Sequence, residues 1–183
     1  MYPTELPRNP VFPHARLLDN AHYFLKKARL KDEDQYPNIM ASIIFCAFAL
    51  ESFLNCMGKL KLKKRWDELE QSNINPKGKL VILTLDFSDK IDFGKRPFQN
   101  FGEIFKYRNL LAHAKVESLK NANTPDESEW EKLSTIENAE KYYNDTNDMI
   151  DKLIEYAELP KLIKGTIQMF FGAGSHNNHA TNS

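Results

Sequence analysis

The chain has 183 residues, of which 42% are hydrophobic and 27% are charged, the composition of an ordinary globular protein of one domain. Basic and acidic residues balance at 25 each, which argues against a strongly basic nucleic-acid coat but not against a local basic site. Only seven residues are glycine, so a glycine-rich phosphate-binding loop is not expected. Cys46 and Cys56 lie ten residues apart in one predicted helix. The roughly 15 Å of rise between them is too long for a disulfide, so both are expected to be free thiols.

The N-terminal segment is the first feature along the chain. Its prolines, at positions 3, 7, 10 and 13, predict an extended arm over residues 1–13. The segment lacks the apolar core of a signal peptide, and the longest run that is apolar apart from Ser42, Ile39–Leu50, is too short for a membrane span. Together with free thiols, which are typical of a reducing compartment, these features predict a cytoplasmic protein that does not bind membranes.

Apolar residues recur at helical spacing through most of the remaining chain. The segment 38–58 is apolar nearly all round, which predicts the central helix of a bundle. Val81–Leu85 could form a short strand, but it follows a helix start at Pro76, so a helix is preferred. The predicted helices cover about residues 14–30, 38–58, 76–85, 98–114, 136–159 and 161–171.

This pattern predicts an all-α fold, an up-and-down helical bundle of four to six helices. The bundle forms a single domain over residues 14–171. Residues 115–130 are polar and contain Pro125, which predicts a surface loop, and the polar residues 172–183 are expected to be a disordered tail.

Two charged residues stand in apolar surroundings. Arg108 falls at about 340° on a helical wheel that starts at Phe101, in the middle of an apolar stripe. Because a guanidinium cannot lose its proton, it needs a carboxylate or an anionic ligand when it is buried. Glu51 is the only charged residue between Asp34 and Lys59. We therefore expect Glu51 to pair with Arg108, and the simplest alternative to a functional pair is a structural one that fixes helix register.

Polar side chains follow Arg108 on the same predicted helix. Asn109 and His113 are four residues apart and share one flank. Imidazole moves protons near neutral pH, and a guanidinium holds phosphate through two parallel hydrogen bonds. Arg108, Asn109 and His113 together therefore suit phosphodiester chemistry that needs no metal. The spacing alone is weakly specific, because the helix dipole also favours a histidine at a helix C-terminus.

A basic segment follows the central helix, at a predicted turn and helix start. It is a candidate RNA-contacting patch, and a solvated turn is the alternative. Its candidate RNA-binding residues are Lys61, Lys63, Lys64 and Arg65. His176 and His179 lie in the tail without a third ligand nearby, so we expect no metal site and no cofactor.

The stretch FQNFGEIFKYRNLLAHAK resembles the hallmark helix of the HEPN superfamily, whose signature is an arginine followed by a histidine after four to six residues. Here the signature runs from Arg108 to His113, with the polar Asn109 directly after the arginine. The central helix, IIFCAFALESFLN, contains Glu51 and is similar to the HEPN helix that precedes the signature. The resemblance extends over about residues 35–115.

The resemblance implies a helical bundle, usually dimeric, in which the signature helices of two protomers meet. It also implies a metal-independent RNA endonuclease of toxin–antitoxin or phage-defence systems, with an antitoxin protein as a further partner. Arg108 and His113 would be the catalytic pair and Asn109 the supporting residue. The chain departs from the family at Lys115, where members that a nucleotidyltransferase antitoxin modifies often carry a tyrosine.

The leading hypothesis is therefore a HEPN-type endoribonuclease that acts as a homodimer. His113 would activate the ribose 2′-OH or protonate the leaving 5′-oxygen, and the product would carry a 2′,3′-cyclic phosphate. Arg108 would stabilise charge on the phosphorane, Glu51 would orient Arg108, and Asn109 would position the phosphate or His113. Two alternatives remain. One is a non-catalytic HEPN-like module that binds nucleotide, RNA or a protein partner, and the other is a dimeric scaffold in which the Arg108–Glu51 pair is only structural.

Overall fold

The computed structural model of the protein describes residues 12–30, 34–113 and 128–164. Within these ranges the chain forms helices and no strand, so the all-α prediction is confirmed. Short 3-10 helices lie at Leu85–Lys90, Phe98–Asn100 and Lys161–Lys164. The α-helices of the described ranges are α1 (Pro13–Ala28), α2 (Gln35–Leu62), α3 (Lys64–Gln71), α4 (Pro76–Leu83), α5 (Phe101–Ala112), α6 (Glu129–Leu133) and α7 (Ile136–Tyr156).

Helix α2 is the centre of the bundle and packs against α1, α3, α4, α5 and α7. Because neighbours surround it on most sides, apolar residues occupy most of its circumference, as the sequence predicts. Ile43, Leu50 and Phe53 are completely buried on it. By length and composition alone α2 could cross a membrane, a property that core helices of globular proteins share, and the other helices bury half of its most apolar stretch.

Several helix ends differ from the prediction because capping residues, rather than periodicity, determine them. Pro13 is the first residue of α1, so the helix begins inside the predicted N-terminal arm. Ser128 accepts a hydrogen bond from the Glu131 backbone, and the Glu131 carboxylate accepts one from Ser128. This capping box starts α6 at Glu129, within the last two residues of the predicted surface loop 115–130.

Other boundaries move by a few residues. Helix α2 is longer than the predicted 38–58 and includes Lys61 in its last turn. Helix α7 ends at Tyr156 rather than at residue 159, and the described part of the predicted helix 161–171 is a single 3-10 turn. Residues 1–11 of the predicted arm, most of the loop 115–130, and the tail 172–183 lie outside the described residues.

A buried carboxylate on α7 determines where α5 begins. Asp145 is 1% exposed and accepts hydrogen bonds from Arg96, at 2.7–3.1 Å, and from the Asn100 amide. Asn100 immediately precedes α5, so these contacts hold the first turn of α5 against α7. Farther along α5, the Tyr107 hydroxyl lies 2.7 Å from the Ser134 hydroxyl before α7. The helix that carries the predicted site is therefore held in place at two levels.

Candidate functional site

The predicted contact between Glu51 and Arg108 is present. Arg108 Nη2 donates a hydrogen bond of 3.2 Å to Glu51 Oε2, which joins α5 to α2. The Arg108 guanidinium also lies over the Phe105 ring, with its Cζ 5.6 Å from the ring centroid. The pair is only half-buried, with 23% of the Arg108 side chain and 32% of the Glu51 side chain exposed. The exposed side of this ion pair is therefore accessible to a ligand from solvent.

A second cation, which the sequence analysis did not single out, reaches Glu51 from α4. Lys79 is 9% exposed, its Nζ lies 4.0 Å from Glu51 Oε1, and it donates a hydrogen bond of 2.8 Å to Asn55 Oδ1. Lysine is mostly a surface residue, so a buried lysine has no distinctive signal in a single sequence. The apolar Leu80 and Leu83 on the same helix, both buried, place this part of α4 in the core.

The Trp66 ring packs beside Lys79, and this packing requires a glycine in α2. Trp66 of α3 is 1% exposed, and its ring lies under the Lys79 ammonium at 5.8 Å. A Cβ at Gly58 would overlap the Trp66 ring, so a glycine is required for α3 to approach α2 this closely. Glu51, Asn55 and Gly58 follow one another at i, i+4 and i+7, on one face of α2.

Asn109 and His113 lie at the exposed end of α5. Both are exposed, and His113 is the C-cap residue, whose backbone N–H donates to the Asn109 carbonyl at 3.0 Å. The His113 ring makes no hydrogen bond, ion pair or ring contact with the described residues. On the helical wheel His113 lies about 140° from Arg108, so one chain does not place the two side chains on the same face.

In the basic segment, Lys61 is hydrogen-bonded to neighbouring residues, whereas the other candidate residues are exposed. Lys61 donates hydrogen bonds to the Leu83 carbonyl at 2.9 Å and to Asp86 at 3.2 Å, and only 11% of its side chain is exposed. It lines an open pocket of about 440 Å³ with Lys90 and Tyr156. The other three candidate RNA-binding residues are exposed: Lys63 links α2 to α3, and Lys64 and Arg65 are the first two residues of α3.

The two cysteines and the two histidines of α1 are partly or fully buried in the fold. Cys46 and Cys56 are free, as predicted, and burial raises the pKa of Cys46 to about 12, which keeps it protonated. His14 and His22 are partly or fully enclosed, and burial lowers the pKa of each. Among the described residues no three His, Cys, Asp or Glu side chains are grouped closely enough to hold a metal ion.

The site contains a guanidinium that is held by a carboxylate and an ammonium beside that carboxylate. An exposed imidazole and amide lie at the end of the helix that carries the guanidinium. The cations can hold a phosphate, and the imidazole can exchange protons with solvent or a ligand. No family model, curated protein or solved structure matches this chain.

Proposed function

We propose that the protein is a metal-independent endoribonuclease of the HEPN type, cytoplasmic and part of a toxin–antitoxin or phage-defence system. The observation that carries the proposal is the contact between Glu51 and Arg108. It holds a guanidinium, a group well suited to binding phosphate, on the helix that also carries the exposed His113 and Asn109. RNA is the proposed substrate and an antitoxin protein a further proposed partner. This proposal includes a HEPN-like arrangement of the bundle.

Each side chain has a defined role in the proposed reaction. His113 removes the proton of the ribose 2′-OH or protonates the leaving 5′-oxygen. Arg108 stabilises the charge that develops on the phosphorane, and Glu51 keeps its guanidinium in one orientation. Asn109 positions the phosphate or the imidazole. The products are a 2′,3′-cyclic phosphate and a free 5′-hydroxyl, because the 2′-oxygen displaces the 5′-oxygen.

A homodimer completes this site. Arg108 faces α2 whereas His113 lies on the flank of α5, so a second copy can bring the histidine of one protomer towards the arginine of the other. An apolar face of α2 near Glu51 supports this assembly, because Ile44 and Phe45 are only partly covered and Phe48 is 41% exposed. We propose that a second copy of the chain covers this face.

An RNA cleavage assay tests the proposal. Cleavage by the wild-type protein should persist in excess EDTA and leave a 2′,3′-cyclic phosphate. His113→Ala should reduce the rate by at least roughly 100-fold, the low end of what a positioned acid–base group contributes. Arg108→Lys should not restore activity, because an ammonium cannot replace the planar fork of the guanidinium. Arg29→Lys, at an exposed surface ion pair, is the matched control and should leave the rate unchanged.

The outcomes separate mechanism, site and function. Loss of cleavage in EDTA that magnesium restores would refute the metal-independent mechanism. Full activity of His113→Ala would refute the site assignment. RNA or nucleotide binding without cleavage, in a folded wild-type protein, would instead favour the non-catalytic HEPN-like module.

A further inference from the structure

Three charges meet where α2, α4 and α5 pack together. Glu51 Oε2 accepts a hydrogen bond from Arg108 at 3.2 Å, and Glu51 Oε1 lies 4.0 Å from Lys79 Nζ. Two cations therefore share one carboxylate, and the cluster carries one uncompensated positive charge. Among the described residues no other acidic side chain forms an ion pair with Arg108 or Lys79.

The cluster is partly buried, so water screens this charge incompletely. Lys79 is 9% exposed, and Arg108 Nε is buried without a hydrogen-bond partner among the described residues. A positive charge in such surroundings favours a bound anion. The exposed edges of Glu51 and Arg108 leave a route for the anion to enter.

We propose that this cluster binds a phosphate group, and that Lys79 is a positioning residue for it. By sharing Glu51, Lys79 offsets the carboxylate charge, so that the charge of Arg108 remains available to the anion. Without Lys79, the Arg108–Glu51 pair would be neutral and would attract phosphate weakly. The assignment of the phosphate to an RNA backbone rests on the proposed function. The charge argument depends only on the cluster.

Opposite effects of two substitutions distinguish this proposal from a purely structural cluster. Lys79→Met removes a positive charge and should weaken phosphate binding. Glu51→Gln retains an oxygen that accepts a hydrogen bond from Arg108, removes the negative charge and should strengthen phosphate binding. The double variant has the same net cluster charge as the wild type and should bind nearly as well. If the cluster only supports the fold, both single variants should lose stability without opposite changes in affinity.

The experiment measures the affinity of the folded protein for two probes, inorganic phosphate and a fluorescent single-stranded RNA with 2′-O-methyl riboses, which cannot be cleaved by the 2′-OH route. Lys79→Met should weaken RNA binding by about tenfold, the effect of losing one charge-assisted interaction. It should also make the negative slope of log affinity against log salt shallower by about 0.7, because one fewer phosphate is neutralised on a single strand. Lys77→Met is the matched control on α4, since Lys77 is exposed, and should change affinity less than twofold.

Circular dichroism and thermal unfolding verify that each variant is folded. If Lys79→Met does not fold, Lys79→Arg is the second variant, and retention of its charge should keep affinity within about twofold of wild type. Affinity changes of the same sign in Lys79→Met and Glu51→Gln, failure of Lys79→Arg to bind, or no binding of either probe by the wild type would overturn the proposal.

Cleavage measurements keep this proposal separate from the proposed function. Opposite changes in probe affinity without RNA cleavage would support the phosphate site and refute the nuclease. Cleavage with unchanged KM and kcat in Lys79→Met would support the nuclease and refute the role of Lys79.

Discussion

The Glu51–Arg108 pair lies partly in water, which limits what it contributes to stability. A fully buried pair that loses one partner costs roughly 3–5 kcal/mol, whereas an exposed pair contributes about 0–1 kcal/mol. With 32% and 23% of the two side chains exposed, we expect Glu51→Ala to lower the free energy of unfolding by about 1–3 kcal/mol. Urea unfolding of both proteins measures this difference.

The control and the double variant test the reason for the loss. Glu140→Ala breaks an exposed ion pair with Arg29 and should cost less than about 1 kcal/mol. A volume-matched double replacement, Glu51→Met with Arg108→Leu, should cost less than Glu51→Ala, because it leaves only Lys79 without its ion-pair partner, whereas Glu51→Ala leaves both Lys79 and Arg108. Equal losses in the single and double variants would contradict this account.

His14 makes stability depend on pH. Its Nε2 lies 2.8 Å from the Ile163 carbonyl oxygen, which can only accept, so the neutral ring carries its proton on Nε2. Nδ1 is buried and has no partner among the described residues, and a second proton there would bury a charge. Burial accordingly lowers the pKa of His14 below its ordinary value of 6.5.

The sign of the pH effect follows from proton binding. On acidification the unfolded chain binds this proton near pH 6.5, before the folded protein does, so stability is full above pH 6.5 and falls as pH decreases towards the folded-state pKa. The pKa of His22, lowered by burial and by Lys26 and Arg29, acts in the same direction. Each histidine can contribute up to about 1.4 kcal/mol per pH unit.

Urea unfolding at pH 7.5 and pH 5.5 measures this dependence. We expect the wild type to be less stable at pH 5.5, and His14→Gln, whose amide can donate to the Ile163 carbonyl, to lose less stability over the same interval. Parallel profiles of wild type and His14→Gln would show that His14 does not titrate in this range.

At the level of elements, the contact between α7 and the start of α5 depends on a buried carboxylate. Asp145 is 1% exposed, whereas 56% of the Arg96 side chain is exposed. Among the described residues, Arg96→Met therefore leaves the buried negative charge with Asn100 as its only hydrogen-bond donor. We expect this change to lower the free energy of unfolding by about 3 kcal/mol in urea unfolding.

A neighbouring lysine is the matched control for Arg96. Lys95 pairs with Asp92 at the surface, and Lys95→Met should change the free energy of unfolding by less than about 1 kcal/mol. Adding Asp145→Leu to Arg96→Met should recover part of the loss, since the buried charge is then gone. A double variant that is less stable than Arg96→Met would contradict the argument.

Helix positions were predictable because each long helix has a continuous apolar face, whereas helix ends depend on local caps. The apolar segment around Ile43 and Leu50 required a central helix, and α2 is that helix. Ser128 and Glu131 form a capping box that could have been found in the sequence, because the two residue types have the required spacing. The prediction of a surface loop at 115–130 overlooked this signal.

At the scale of the whole molecule, the contact of Glu51 with Arg108 was predictable because each is a charge among apolar residues. The helical wheel places Ala112 in the apolar stripe around Arg108, but Ala112 is exposed because it is the last residue of α5. Lys79 was not predictable, since its burial depends on how α3 and α4 fold back over α2. Only a tertiary structure brings Lys79 and Glu51 together.

The partly uncovered face of α2 makes a prediction about assembly. Phe48 is 41% exposed, Phe45 packs against both Phe48 and Phe24, and Tyr23 of α1 extends the same aromatic surface. A stable dimer buries roughly 800 Å² per partner, more than one side chain supplies, so both α1 and α2 would contribute. Exposed aromatic clusters of this kind are typical of interfaces.

We expect the wild-type protein to be a dimer at micromolar concentration in light scattering and Phe48→Lys to be a monomer, because a lysine in the centre of the interface would be buried without a partner. Leu85→Lys is the matched control, because Leu85 is equally apolar and 64% exposed but lies after α4, outside this face. It should remain a dimer. Phe48 precedes Glu51 by one turn, so the proposed interface adjoins the proposed site. Because that site needs both protomers, the monomeric variant should also lose the proposed cleavage, while circular dichroism shows an intact helical fold. A monomeric wild type, or a dimer unaffected by Phe48→Lys, would place the site within a single chain or the interface on another face.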